Sequence, residues 1–429
     1  MTNSSQNRIL IVVCVLHFGT HLYTTFLQPL NHELKEFFHL TLDQDVTRIP
    51  SLYLAFYAAA NLFSGLLGNR FQSRTVLAFG PFWNGLCVMA MYFLKPENYT
   101  AMCVLTVLGA AGGGLYHPVA NLLLVKAFPE NKGRALGFSG IGACLALIIG
   151  PLAANLFVSR QICTWQVICM AYGAMGVACG ALAWIYVPQE SPNQPVAFEA
   201  GRPSTKFSLS NDPEIRRVTV FAILIVLVIA TREMANWGTA AITQQFTAIA
   251  YPDYIKTNPA FPGLLCGIIF VPGLLIQPLA GKWSDRFGRE RVTAGALFCL
   301  SASLWLLPIV SREAVVGMYL LLGAATSATV PTVEALIAER APIRFRSLVY
   351  GLVLTAAIGL GSLGPKLVGV IADAGGRSLD AYRNGFWTLS ALVFGSSILA
   401  LFLKPAASIL GVDQFHLPAG ATALIRRLD

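Results

Sequence analysis

The sequence predicts an all-α integral membrane protein of twelve transmembrane helices, arranged as two pseudo-symmetric six-helix bundles. Three observations lead there. Apolar residues gather in runs of roughly twenty, the length that crosses about 30 Å of hydrocarbon as helix. A charged turn recurs half a chain apart, and one long polar stretch divides the apolar runs six and six. The composition agrees, with 55% hydrophobic and only 12% charged residues, against about 25% charged in soluble globular chains.

Taken in order, the spans are expected at 9–30, 49–68, 75–94, 101–125, 135–157, 166–187, 217–246, 262–281, 292–310, 315–338, 348–371 and 385–403. Arg8 precedes the first run and no small-residue cleavage site follows it, so that run is expected to stay as the first span. The stretch 188–216, punctuated by Pro188, Pro192, Pro195 and Pro203, reads as the interior linker. The organisation is therefore an N-terminal bundle over 1–187, a cytoplasmic linker over 188–216, a C-terminal bundle over 217–404 and a cytoplasmic tail over 405–429.

Charge sets the orientation. Of the 30 Lys and Arg, 20 fall on the side of the termini and linker and 8 on the opposite side, with Arg232 and Lys366 inside spans. The positive-inside rule then places both termini in the cytoplasm, and the plasma (inner) membrane is the expected location. The net charge of +9 follows from these loops and carries no implication of nucleic acid. Nine cysteines are scattered singly through apolar segments with no metal-ligand spacing. Neither metal nor cofactor is expected.

The repeat is the next feature. Gly281, Asp285, Arg286 and Phe287 follow Gly65, Asn69, Arg70 and Phe71 at a constant separation of 216 positions. Leu108-Gly109-Ala110-Ala111 matches Leu322-Gly323-Ala324-Ala325, and Gly150-Pro151 matches Gly364-Pro365, both 214 apart. Duplicated halves of this kind place a ligand path between them, near the bilayer midplane. The pattern Gly281-x-x-x-Asp285-Arg286-x-Gly288-Arg289 between two hydrophobic spans resembles the signature loop of the major facilitator superfamily. By that resemblance, Gly281, Asp285, Arg286, Gly288 and Arg289 form a cytoplasmic gating loop. The earlier copy departs from the pattern, with Asn69 at the acid and Gln72-Ser73 in place of Gly-Arg.

Ionisable groups inside hydrocarbon cost at least a few kcal/mol each, so their positions are informative. Away from span ends they are His17 and His21 in the first span, His117 in the fourth, Arg232 and Glu233 in the seventh, Glu334 in the tenth and Lys366 in the eleventh. In the superfamily that the chain resembles, the first, fourth, seventh and tenth helices line the central cavity. His17, Thr20/His21, Thr24 and Gln28 form a polar stripe at helical spacing, His117 shares a face with Asn121, and the shift of 216 carries the stripe onto Glu233 and Asn236. Arg232 facing the cavity alone favours an anionic substrate; paired with Glu233 or Glu334 it leaves no net attraction. Each histidine reads either as part of a substrate or proton path or as a neutral imidazole bonded within the bundle.

Gly112-Gly113-Gly114 leads into Tyr116-His117-Pro118, followed by Gly133-Arg134 and Gly150-Pro151. Pro118 removes a backbone bond in mid-span and marks a bend, and Gly150, Pro151, Gly364 and Pro365 join it as hinge or packing positions. This stretch resembles the fosmidomycin-resistance branch and related efflux members, in which an Asp stands where this chain has His21.

The expected function is a secondary active transporter working by alternating access, a proton-coupled exporter of a small organic compound. Uptake of an organic anion and a membrane receptor or assembly factor that moves nothing are the competing readings. No Walker-type Gly-x-x-x-x-Gly-Lys-Ser/Thr is present, and no enzyme activity is expected. Expected partners are the small-molecule substrate, the lipid bilayer and protons as coupling ion, with the protein a monomer.

Overall fold

Among the described residues every regular element is helical, as a backbone that must satisfy itself in hydrocarbon requires. A computed structural model describes residues 3–67, 71–189, 213–340 and 346–403. Most of the expected linker, the whole of the expected tail, and Asn69 and Arg70 of the first charged turn lie outside them.

The first half comprises α1 (Asn3–Thr25), a 3-10 turn at Gln28–Leu30, α2 (Asn31–Phe37), α3 (Asp43–Leu67), α4 (Ser73–Ala90), α5 (Tyr99–Gly113), α6 (Tyr116–Ala127), α7 (Lys132–Ser159) and α8 (Trp165–Tyr186). The second comprises α9 (Pro213–Ala250), α10 (Pro252–Thr257), α11 (Phe261–Ile268), α12 (Gly273–Phe287), α13 (Arg289–Leu306), α14 (Arg312–Arg340), α15 (Arg346–Gly361), α16 (Leu363–Ala374) and α17 (Leu379–Ala400).

Ten segments among the described residues are long and apolar enough to cross a membrane. The spans expected at 49–68 and 385–403 correspond to α3 and α17, which are helical but fall outside those ten. Both carry acid in their first turn, Asp43 and Asp45 in α3 and Asp380 in α17. Large apolar side chains cover the outside: Leu275 is 74% and Phe93 71% exposed. Such a surface suits lipid and not water.

The buried apolar residues fall into clusters that do not mix the halves. One runs from Ile225 to Leu403; two others run from Leu22 to Tyr172 and from Ile9 to Val187. Within the first half, α4 lies directly on α8, where a Cβ on Gly85 would stand 2.5 Å from the Gly173 carbonyl oxygen. Only a residue without a side chain allows that approach.

Prolines break some crossings and not others. Pro118 has no N–H for the carbonyl of Gly114 and its ring crowds that carbonyl. The bend is therefore a full break one turn upstream, with α5 ending at Gly113 and α6 starting at Tyr116. The Ser64 hydroxyl donates to the Leu115 carbonyl at 2.7 Å, tying the break to α3. Pro365 acts alike: α15 ends at Gly361 and α16 starts at Leu363. Gly364 lies against α9, its Cβ position 2.3 Å from the Met234 carbonyl oxygen. Pro151 and Pro331 sit inside unbroken α7 and α14, and the Gly150 carbonyl accepts the Tyr172 hydroxyl at 3.0 Å. A further break, between α11 and α12 at Pro272, was not among the expectations.

Candidate functional site

Two groups of polar side chains sit within the apolar crossings, one in each half. In the first, His17 and His21 stand one turn apart on α1, and His117 lies in the first turn of α6, just after the break. The three ring centroids are 5.0, 5.0 and 5.2 Å apart. His21 Nε2 faces His117 Nε2 at 3.2 Å. His17 Nδ1 lies 2.8 Å from the Ser139 carbonyl oxygen on α7 and 3.0 Å from its hydroxyl. A carbonyl only accepts, so Nδ1 carries the proton and a neutral His17 presents its lone pair at Nε2. That Nε2 is buried without a protein partner, as is His21 Nδ1.

Tyrosines frame the cluster. The Tyr116 ring lies 4.9 Å from His17, and its hydroxyl donates to the Val13 carbonyl at 2.8 Å. Tyr57, from α3, meets His117 edge-on at 6.1 Å, and its buried hydroxyl has no protein partner. The stripe below also ends in open valences, because both polar atoms of Gln28 are buried without a protein partner. A cavity of about 30 Å³ lies between Thr24, Gln28, Tyr53, Asn84 and Thr106.

In the second half, Arg232 forms an ion pair with Glu233, its neighbour on α9. Its other terminal nitrogen donates to Thr329 Oγ1 on α14 at 3.2 Å. Arg232 is 9% exposed and Asn236, one turn on, 6%. Of the two arrangements left open by the sequence, the paired one is present. Neighbouring residues on a helix diverge by about 100°, and only long side chains close that gap. Trp237, with its indole N–H unpartnered, adds an aromatic wall with Phe270 6.3 Å away. Asn121 and Glu334 are exposed on α6 and α14, and Lys366 is exposed on α16.

Sequence reasoning named the three histidines, Arg232 and Glu233, and the structure gathers them into these two groups. It did not name Ser139, 122 residues from His17, or Thr329, 97 from Arg232. Both are common hydroxyl residues in apolar helices, and no local pattern distinguishes them.

The two halves are tied together at the end where α1 and α9 finish. Asn31 Nδ2 donates to the Ala241 carbonyl at 2.7 Å, and the His32 N–H to Gln244 Oε1 at 2.8 Å. Asn155 bridges further, donating to the Pro29 carbonyl at 3.0 Å and accepting from the Gly263 N–H at 2.9 Å. Asp373, at the end of α16, accepts from the N–H groups of Asp43 and Gln44 at 2.9 and 2.8 Å. A carboxylate from one half thereby caps the N-terminus of α3 in the other, where the helix dipole favours it. Tyr382 donates to Asp43, Arg377 to the Thr41 carbonyl, and Lys35 pairs with Asp43 at 2.6 Å.

Residues 9–246 and 234–423 match the family model of the Major Facilitator Superfamily. The chain belongs to this superfamily. It is accordingly a multi-pass membrane transporter and not an enzyme. Among its curated relatives is the multidrug resistance protein MdtG of Yersinia enterocolitica, 26% identical over 304 residues covering 70% of each chain. MdtG of Serratia proteamaculans is also 26% identical, over 310 residues covering 67% of this chain and 72% of that one. Solved structures share the fold at low identity. A bacterial homologue of the human lysosomal transporter Spinster, in an inward-facing conformation, aligns with TM-score 0.74 and 13% identity over 94% of this chain and 98% of that one. The nucleoside transporter NupG aligns with TM-score 0.70 and 12% identity over 92% and 100%.

The superfamily turn is tighter than a loop. Gly281 to Phe287 still belong to α12, and α13 starts at Arg289, so Gly288 alone makes the reversal. Its φ of +96° is open to glycine and strained for other residues. Gly281 has no such demand, since a Cβ there meets open space. Arg289 organises the charges: it pairs with Asp285 at 2.6 Å and Glu339 at 3.0 Å and donates to Ser284 Oγ at 2.5 Å. Arg286 instead lies over the Phe287 ring at 5.3 Å. The turn is thereby clamped to the end of α14.

Proposed function

We propose that this superfamily member is a secondary active transporter working by alternating access, and that it exports a small organic compound in exchange for protons. In this reading α3 and α17 join the ten long apolar segments to give twelve crossings in two six-helix bundles, and the bundles rock about a central site. The observation that carries the reading is the presence of two polar groups, one in each half, inside otherwise apolar crossings. One is His17, His21 and His117 on α1 and α6; the other is Arg232, Glu233 and Thr329 on α9 and α14. Ionisable groups at membrane depth are costly and by default mark a substrate or ion path, which in duplicated transporters lies between the bundles. Glu233, Glu334 and His117 are the candidate proton carriers. With the basic side in the cytoplasm, both termini lie there, and the end tied by Asp373 and Asn155 faces away from it. The described conformation is then open inward.

Two observations favour export over organic-anion uptake. Glu233 neutralises Arg232, which removes the net attraction for an anion, and the MdtG relatives carry multidrug resistance in their names. The test is a thermal-shift screen of the purified protein, since a ligand that binds only the native state raises its apparent stability with concentration. Neutral or cationic lipophilic compounds are expected to stabilise the protein, with smaller shifts in Glu334→Gln and His117→Ala. Anionic hits lost in Arg232→Ala would overturn the choice in favour of uptake. Absence of any hit, together with a fixed co-purifying protein, would favour a receptor.

A further inference from the structure

We propose that His17, His21 and His117 form a three-imidazole site for one divalent transition-metal ion of the zinc class. The three histidines come from two helices in separate parts of the sequence, yet each offers a ring nitrogen, and these nitrogens all lie within 4.8 Å of one another. The His21 and His117 Nε2 atoms are already 3.2 Å apart. A tetrahedral ion with bonds of about 2.0–2.1 Å holds its nitrogens about 3.3 Å apart. A hydrogen bond between His21 and His117 accounts for that contact but uses nothing of His17. The His17 Nε2, buried and without a protein partner, points to a third ligand of the same ion.

The surrounding groups agree with this role. Metal-bound histidines characteristically donate their other ring N–H to a carbonyl or carboxylate, which fixes the tautomer and the ring plane. His17 does so to the Ser139 carbonyl at 2.8 Å, and the Ser139 hydroxyl is held in turn by Tyr116 at 3.3 Å. The rings are also locked by packing, His17 against Tyr116 and His117 against both Tyr57 and Tyr116. The donor set decides the class of ion. Three neutral imidazoles and no carboxylate suit Zn²⁺, Cu²⁺, Ni²⁺ or Co²⁺, whereas Ca²⁺ and Mg²⁺ require oxygen ligands. Three protein ligands leave a fourth position for water or for an electron-pair donor on a bound compound. The proposal concerns binding at equilibrium and does not rest on export.

The experiment uses the full chain in detergent, with its affinity tag removed and metals stripped by a chelator. Zn²⁺ is titrated by calorimetry and Co²⁺ by visible absorption. The expected result is one Zn²⁺ per chain and the intense Co²⁺ bands of a four-coordinate site. His21→Gln and His117→Gln should each weaken Zn²⁺ binding by at least about tenfold, since loss of even an outer-shell partner of a metal ligand costs about 10–100-fold. His39→Asn should leave it unchanged, because His39 lies in a turn between α2 and α3 with φ of 53°, which Asn tolerates. Zn²⁺ binding that survives replacement of all three histidines, or absence of stoichiometric binding, would overturn the proposal. Should the variants fail to fold, X-ray absorption on the Zn²⁺-loaded natural protein decides: three imidazole ligands support the site, and one or none overturns it.

Discussion

A guanidinium buried in a membrane span needs a carboxylate beside it, and Arg232 has Glu233. Their side chains are 11% and 14% exposed, so little water reaches the pair. Removing one partner of a buried pair costs about 3–5 kcal/mol, whereas replacing both by apolar residues is often neutral. Glu233→Gln should therefore destabilise the protein by about 3 kcal/mol, and Arg232→Met with Glu233→Leu should recover most of that. Chemical unfolding in detergent measures both; equal losses in the single and double variants would show that the pair does not act as a unit. The histidines need no such counter-ion, because a neutral imidazole both donates and accepts. That difference explains how three of them share one place in the first half without an acid among them. Their residue types made them legible in the sequence. The Ser139 contact was not legible, because a backbone carbonyl 122 residues away leaves no trace in composition or spacing.

Among the helices and turns, the chemistry of single residues decides where elements end. Pro118 announced a bend in the sequence, but the break falls at Gly114 and Leu115, where the proline deprives a carbonyl of its partner. The charged turn at 281–291 was legible as a motif, while its contraction to one residue was not, since helix α12 continues through the charged positions. Gly288 bears that contraction. Gly288→Ala should cost about 1–3 kcal/mol through its positive φ, whereas Gly281→Ala should be near neutral or slightly stabilising. Thermal unfolding of the two variants distinguishes them; equal effects would contradict the assigned turn. The tie between α16 and α3 was invisible in the sequence, because Asp373 and Asp43 are 330 residues apart and each reads as an ordinary loop acid. Asp373→Asn keeps the shape but surrenders the charge at the α3 N-terminus, weakening the tie by about 1 kcal/mol. A cysteine placed at Thr47, which is buried against Gly369, should then be alkylated several-fold faster in a background free of native cysteines. An unchanged rate would show that Asp373 does not hold this end shut.

For the molecule as a whole, the apolar cores are segregated into two halves, which meet where α3 packs on α15 and α16 and α7 on α11, and through the polar ties at one end. The sequence made the helical membrane class legible through hydropathy and the duplication through short motifs, but it placed α3 and α17 on a par with the other spans. Their charged first turns belong to the tied end: Asp43 receives Lys35 and Tyr382, and Asp380 pairs with Arg383 at 2.8 Å. These two helices thus combine an apolar body with a polar, inter-half function at one terminus. Alternating access requires that end to open as the other closes, driven in the proposed reading by protons moving down their gradient. The most direct measurement is flux of a lipophilic cationic dye in proteoliposomes under an imposed pH gradient, with and without an ionophore that dissipates it. The account predicts dye movement against its own gradient, coupled to proton flow, abolished by the ionophore and reduced at least tenfold in Glu233→Gln. Dye flux that proceeds at the same rate without the gradient, or none for any compound that binds, would contradict it.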